Sequence, residues 1–164
     1  MDIRRLFHRA SSDERGAAAV EFALVVPIFL VIVFGMVDFT RAYYTQSAIA
    51  AAVREGARMA SVQKNPVSTA SQALVKQRVR TFVVPFGNDA IPLTSITVQM
   101  VGTNGTTVCA FVIDETECPN VRVQVSNYNF KYYTPISRIA NSGSKTKPIT
   151  RAAVFRFERN NVGQ

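Results

Sequence analysis

The sequence predicts an α+β protein: a long N-terminal helix able to cross a membrane, a shorter second helix and an antiparallel sheet of about four strands. Three observations predict this class. Residues 17–37 contain a single charge, Glu21, over about 21 residues, close to the roughly 20 that a bilayer span needs. Apolar residues then recur at steps of three and four to about residue 62. From Leu93 onward they alternate with polar residues instead.

The first sixteen residues differ from the helix that follows them. They mix basic residues with Asp2, Asp13 and Glu14, lack a strong apolar period and end at Gly16. We interpret 1–16 as a cytoplasmic leader outside the fold, because basic residues beside a span favour the cytoplasmic side. The basic residues before the span are Arg4, Arg5, Arg9 and Arg15.

A cleaved secretory signal is the main alternative to a permanent span. Signal h-regions are shorter and precede a small-residue cleavage site, whereas here Val37 is followed by Asp38 and Phe39. We therefore expect residues 17–37 to remain as a single-pass anchor in the lipid bilayer. A chain of 164 residues has room for one further domain, so residues 63–164 are predicted to form one extracytoplasmic α+β unit.

The helical pattern continues well beyond the predicted span. A helix from residue 17 to about 62 would be roughly 70 Å long, so more than half of it would project from the bilayer. Small residues at four-residue steps on the projecting part let another backbone approach closely. That backbone belongs either to another chain or to the helix's own domain. The small residues are Ala48, Ala52, Gly56 and Ala60.

A second, amphipathic helix is predicted after the Asn65-Pro66 break. Ser68 or Thr69 is its candidate N-cap, and Pro85 is expected to end it. The residues predicted for its apolar face are Ala70, Leu74, Val75, Val79 and Phe82.

Strands are predicted from apolar residues at every second position. The run at 96–100 and a returning run at 107–113 form a predicted hairpin around the Asn104-Gly105 turn. In the run beginning at Val121 the apolar phase slips, as a bulge near Ser126 and Asn127 would produce. A last strand at 149–158 carries Ala153, Phe155 and Phe157 on one face.

Cys109 and Cys118 are nine residues apart in the predicted extracytoplasmic part. In an oxidising compartment this pair is predicted to form a local disulfide. A transition-metal site is disfavoured because the single histidine, His8, precedes the span. The acidic residues at 114–117, with Asn120, could hold calcium, but a solvated acidic turn is the simpler interpretation. We expect no metal and no cofactor.

Glu21 is the most informative side chain of the span. A carboxylate embedded in a bilayer is unfavourable by up to a few kcal/mol of free energy unless it pairs with a cation. A functional role is therefore the default hypothesis. If the chain were cut between Gly16 and Ala17, Glu21 would be the fifth residue after a new amino group, which a neighbouring subunit could present to it. The alternative is a glutamate that reaches water at the membrane boundary.

The segment from Arg15 and Gly16 to Glu21 and Phe22 resembles a prepilin cleavage site. With the continuation at 23–27, Asp38-Phe39 and 54–60, it is similar to the TadE-like pseudopilins of the tight adherence (Tad, Flp) pilus system. The resemblance is strong over about 14–62. Beyond that, residues 121–135 share only a general likeness with the late part of the family's outer domain.

This resemblance implies a substrate of a membrane prepilin peptidase, cut between Gly16 and Ala17, and not an enzyme. It implies a minor pilin or pseudopilin that assembles a pilus used for adhesion and biofilm formation. Expected partners are other pilins and pseudopilins and an inner-membrane assembly platform. The predicted location is the bacterial inner membrane with the domain in the periplasm, or an extracellular pilus. Major Flp pilins are very short, so this chain is not expected to be the bulk subunit.

Two other functions are compatible with the residues. Basic residues dominate after Val121, with Glu158 as the single acid, and this charge could attract DNA or an anionic surface polymer. We favour a solvated basic face over nucleic-acid binding. An unprocessed membrane-anchored periplasmic domain is the second alternative. Catalysis has little support, because the predicted outer domain lacks histidine and shows no catalytic carboxylate pair or phosphate-binding glycine loop.

Overall fold

The computed structural model describes residues 14–83, 90–109, 118–134 and 143–157. In chain order the elements are the helices and strands α1 (Glu14–Ser61), α2 (Thr69–Phe82), β1 (Ile96–Val101), β2 (Asn120–Lys131) and β3 (Thr146–Arg156), with a 3-10 turn (Leu93–Ser95) before β1. The second half of α1 packs on α2, β2 and β3, and α2 also reaches β1. The predicted α+β class, with one long apolar helix and one shorter helix, is confirmed.

Helix α1 is 48 residues long and continues through Pro27. At 1.5 Å per residue it measures about 72 Å. Its end is closed locally, since the Ser61 hydroxyl donates to the carbonyl of Arg58 at 2.9 Å and the Gln63 amide donates to that of Ala60 at 3.2 Å. Such a length needs packing outside any membrane, which the domain provides along residues 38–61.

Helix α2 begins where its capping residue predicts. Ser68 is the N-cap, and its side chain accepts a hydrogen bond from the Ser71 amide at 3.3 Å. The predicted apolar face is only partly correct. Ser71, Val75 and Val79 are buried, while three predicted members of the face are exposed. Those exposed residues are Ala70, Leu74 and Phe82.

Across the described residues the sheet has three antiparallel strands in the order β1-β2-β3, so the prediction of about four was wrong. The Asn104-Gly105 turn is present, with Gly105 at φ +70°. Over the described residues the returning chain is held by an isolated bridge between Val101 and Val108 and by the Cys109 amide, which donates to the Met100 carbonyl at 3.0 Å. Strand β1 also pairs along its whole length with β2, from Ile96 opposite Val125 to Val101 opposite Asn120. Residues 110–113 of the predicted hairpin lie outside the described residues.

The predicted bulge in β2 is confirmed. The register against β3 shifts between Val125 and Tyr128, and Asn127 adopts φ +52°, a left-handed conformation that asparagine tolerates. The Asn127 amide donates to the Thr150 hydroxyl at 3.2 Å. By absorbing the extra residue, the bulge keeps Tyr128 and Phe130 on the same buried face as Val125.

The last strand, β3, begins three residues earlier than predicted, at Thr146 instead of Ile149. Its expected inner face is formed by Ala153, which is half-buried, and by Phe155, which is 37% exposed at the edge of the sheet. Phe157 follows the strand and is buried. Glu158, the predicted end, lies outside the described residues.

One hydrophobic core lies between the helices and the sheet. Its largest fully buried side chains come from α1, α2, β1, β2 and the segment before β1. They include Ile49, Val53, Val75, Val79, Ile91, Ile96, Val121, Val123, Val125 and Phe130. This core fixes the direction in which the rest of α1 leaves the domain.

Candidate functional site

The predicted processing residues lie in the first turns of α1. Gly16, Ala17, Glu21 and Phe22 are all exposed, Phe22 to 70% of its surface. Among the described side chains, no cationic group forms an ion pair with Glu21. The carboxylate and the ring that follows it are therefore presented outward, on a part of the helix that the described domain leaves uncovered.

The following residues make the first half of α1 an apolar rod. Apart from half-buried Val26, its large apolar side chains are exposed between 36% and 70% as far as Val37, and the most apolar stretch has no buried residue. By length and composition this is one helix able to cross a membrane. The exposed residues include Val20, Leu24, Ile28, Phe29, Ile32, Phe34 and Met36.

The small residues at four-residue steps serve the second half of the same helix. Ala52 and Ala60 are fully buried, Gly56 is buried and Ala48 is half-buried. A Cβ atom at Gly56 would clash with Val79 of α2 and lie 3.5 Å from the Val123 side chain of β2. Of the two partners predicted for this face, the described contacts are those with the chain's own domain.

A buried ion pair lies where the apolar rod ends, and it was not predicted from the sequence. Asp38 and Arg41 are both buried, with 3.5 Å between Arg41 Nη1 and Asp38 Oδ1. The amides of Tyr133 and Thr134 donate to the two carboxylate oxygens at 3.3 and 3.1 Å, and the Thr134 hydroxyl donates to Asp38 Oδ2. A buried carboxylate is stable only when it is bonded in this way.

Two aromatic rings, one in β2 and one just after it, contact the guanidinium of the pair. The Cζ atom of Arg41 lies 3.9 Å from the centroid of Tyr133 and 5.6 Å from that of Phe130, distances typical of cation–π contacts. Phe130 also packs edge-on against Tyr132, with centroids 5.3 Å apart. The base of the rod is thereby attached to residues about ninety positions later in the chain.

Glu55 connects the two helices at the protein surface. Its carboxylate accepts two hydrogen bonds from Arg58 at 3.0 Å and one from Arg78 of α2 at 3.5 Å. The hydrogen bond from Arg58 is the main cause that lowers the pKa of Glu55 from its usual value. The same contact raises the pKa of Arg58.

Cys109 and Cys118 form the predicted disulfide, with their Cα atoms 6.3 Å apart. The acidic residues 114–117 between them lie outside the described residues. The Asn120 amide group, considered above as a calcium ligand, donates to the carbonyl of Gly102 at 3.0 Å. Across the described part of the chain, no three His, Cys, Asp or Glu side chains are grouped closely enough to hold a metal ion.

One comparison with known proteins bears on this helix. The family model described as TadE-like protein matches residues 16–58. Over this range the chain is similar to TadE-like proteins. The match confirms the resemblance seen in the sequence and coincides with the apolar rod and most of the buried half of α1.

The TadE-like match ends before α2 and does not extend into the sheet. No match to the chain was found among curated proteins or among solved structures. The TadE-like segment therefore supports an association of this protein with Tad pilus systems in general.

Proposed function

We propose that this protein is a minor pilin or pseudopilin, a structural component in the assembly of a Tad-type pilus. The observation that carries the proposal is the TadE-like match over residues 16–58, together with the apolar rod that the same residues form. A rod that its own domain leaves exposed needs either lipid or the rods of other subunits around it. A pilin uses both environments, first in the membrane and then in a filament.

In this proposal residues 1–16 are the cytoplasmic leader, residues 17–37 cross the inner membrane and the domain lies in the periplasm. A prepilin peptidase removes the leader between Gly16 and Ala17. The new amino group of a neighbouring subunit then pairs with Glu21, whose outward position in α1 supports this role. Other pilins and an assembly platform are the partners.

Processing is tested by the intact mass of the protein from cells with and without the prepilin peptidase. The mature chain is expected to begin at Ala17 only when the enzyme is present. Gly16→Leu should block the cut. Gly35→Leu is the matched control, because Gly35 lies in the same helix and a Cβ there would meet nothing within 4 Å.

A full-length mass in both strains would contradict the processing step. Cleavage blocked equally by Gly16→Leu and Gly35→Leu would also contradict it, since the effect would then be one on membrane insertion.

Assembly is tested with Glu21→Ala. This variant is expected to insert and to be cleaved, yet to reduce piliation, whereas Ser47→Ala, at an exposed position farther along α1, should not. Piliation counted by electron microscopy at equal protein level is the measurement. Normal piliation of Glu21→Ala would contradict the proposed role of the carboxylate.

A further inference from the structure

The end of the sheet nearest the apolar rod has an unusual charge. Between Cys118 and Phe157 the sequence contains seven Lys or Arg residues and no Asp or Glu. Three of the lysines, Lys131, Lys145 and Lys147, are exposed at this end of β2 and β3, and we call them the lysine rim.

The lysine rim lies level with the base of the rod. Lys147 pairs with Phe130, whose ring is 5.6 Å from Arg41 Cζ, and Lys131 pairs with Thr146. The Lys145 carbonyl accepts a hydrogen bond from the Tyr132 amide at 3.0 Å, one residue before the amide that binds Asp38. The rim is thus held by backbone contacts to the segment that is fixed on the buried pair.

This level corresponds to the headgroup layer of a bilayer that the rod would cross. Arg41 is four residues beyond Val37, so it lies about 6 Å above the end of the apolar stretch. The polar layer on each side of a bilayer is about 5 to 7 Å thick. Asp38, the acid described at this level, pairs with Arg41 and accepts hydrogen bonds from Tyr133 and Thr134. Its negative charge is therefore already neutralised.

Exposed aromatic rings surround the same level. Phe39, Tyr43, Tyr44 and Tyr133 are exposed to 72%, 67%, 52% and 64% of their surfaces. Tyrosines with a polar tip and an apolar body are enriched at membrane interfaces. Rings and lysines together form the composition that a headgroup layer favours.

We propose that the lysine rim binds the phosphates of anionic lipid headgroups and so seats the domain on the membrane from which α1 emerges. This inference rests on α1 crossing a bilayer, and it is independent of leader cleavage and of pilus assembly. Each lysine near an anionic surface is expected to strengthen the contact about fivefold at low salt, and the rim as a whole by on the order of a hundredfold.

The test uses the full chain reconstituted in vesicles and measures the rate at which each lysine is acylated. Phosphatidylcholine vesicles are compared with vesicles containing about one third phosphatidylglycerol. Acylation of the three rim lysines is expected to slow severalfold in the anionic vesicles and to recover as salt rises to about 0.5 M. Lys64, which follows the far end of α1, and Lys76 of α2 are the internal controls and should not change.

A second measurement does not depend on acylation of the lysines and can therefore be applied to variants that lack them. Amide hydrogen exchange at the start of β3 should be slower in anionic than in neutral vesicles for the parent chain. Replacing Lys131, Lys145 and Lys147 together by Gln should remove this difference. The double variant Lys64→Gln and Lys76→Gln removes charge elsewhere and should preserve it.

Equal acylation rates in both lipids would overturn the proposal, as would slowing that Lys64 and Lys76 share. DNA duplex added to neutral vesicles provides the competing outcome. If DNA protects the rim and anionic lipid does not, the basic surface serves a polymer and the headgroup proposal is wrong.

Discussion

The two halves of α1 are both rich in apolar residues, yet they use them in opposite ways. Residues 16–37 carry large side chains that the domain leaves exposed. In residues 38–61 one face is buried, and Ile49, Ala52, Val53 and Ala57 on it are almost completely buried, while Phe39 and Tyr43 remain exposed. The contrast teaches that hydrophobic content does not reveal what a helix contacts. The second half differs in the small residues of its buried face, which let the domain's backbone approach.

The first prediction compares the carboxylates of the two halves. Asp38→Ala leaves Arg41 buried without its anion, and removing one partner of a buried pair costs about 3–5 kcal/mol. Glu21→Ala, in the exposed half, should leave the domain's free energy of unfolding unchanged. Both free energies of unfolding are measured by urea titration in detergent, with proteolysis of the domain reporting the unfolded fraction. Equal free energies of unfolding for the two variants would contradict a division of α1 into two halves at Asp38.

The second prediction uses the same residue type in each half. Ile49 is fully buried and Ile28 is 65% exposed. Truncation of a buried isoleucine to alanine leaves a cavity and should cost the domain about 3 kcal/mol. Ile28→Ala should not change the domain's urea midpoint. If Ile28→Ala destabilised the domain as strongly, the rod would have to be packed on it.

The third prediction compares two glycines. Gly56→Ala forces a methyl group against Val79, a β-branched side chain that cannot rotate away easily, and should destabilise by about 1–2 kcal/mol. Gly35→Ala meets nothing within 4 Å and should be neutral or slightly favourable through helix propensity. Thermal unfolding of the two variants tests this, and a more stable Gly56→Ala protein would contradict the close approach of α1 and α2.

The smallest expected effect belongs to Glu55. Arg58 lowers its pKa in the folded state, so the stability that it adds is present at neutral pH. This contribution is lost as pH falls below the carboxyl's usual value of 4.5 through its lowered folded value. Because the site is exposed, the shift in Tm should be smaller than for Gly56→Ala. Glu55→Gln should remove this part of the acid dependence, and an unchanged pH profile would contradict it.

Local signals in the sequence predicted much of the fold. Periodicity indicated both helices, Ser68 indicated the start of α2, and the slip in apolar phase after Val125 indicated the bulge at Asn127. The family resemblance also came from a contiguous segment, about residues 14–62, and the family model matches residues 16–58 of it. Each of these features depends on neighbours within a few positions, which periodicity can detect.

The features that were missed depend on distant contacts. Asp38 looked like the polar end of a span, because its partners Tyr133 and Thr134 are about ninety-five residues away. The pairing of β1 with β2 joins residues 19 to 29 positions apart, and no local pattern indicates it.

The buried face of α2 was misplaced for a related reason. Ser71 is buried, and its hydroxyl accepts a hydrogen bond from the Ser68 hydroxyl at 2.9 Å. This hydrogen bond satisfies the polar group, so that its burial is tolerated. Val75 and Val79 lie against Gly56 on the buried face of α2. Leu74 lies on another face and is exposed, and no local pattern distinguishes it from Val75.

The division of α1 can be measured directly, because the chain contains no tryptophan. Phe29→Trp places a single reporter on the rod, and Leu74→Trp places one at a position of similar exposure on α2, 60% against 56%. In vesicles whose lipids carry bromine on their acyl chains, Phe29→Trp fluorescence should be strongly quenched and Leu74→Trp fluorescence should not. Quenching of both reporters to the same extent, or of neither, would contradict an apolar rod in lipid that continues into a domain outside it.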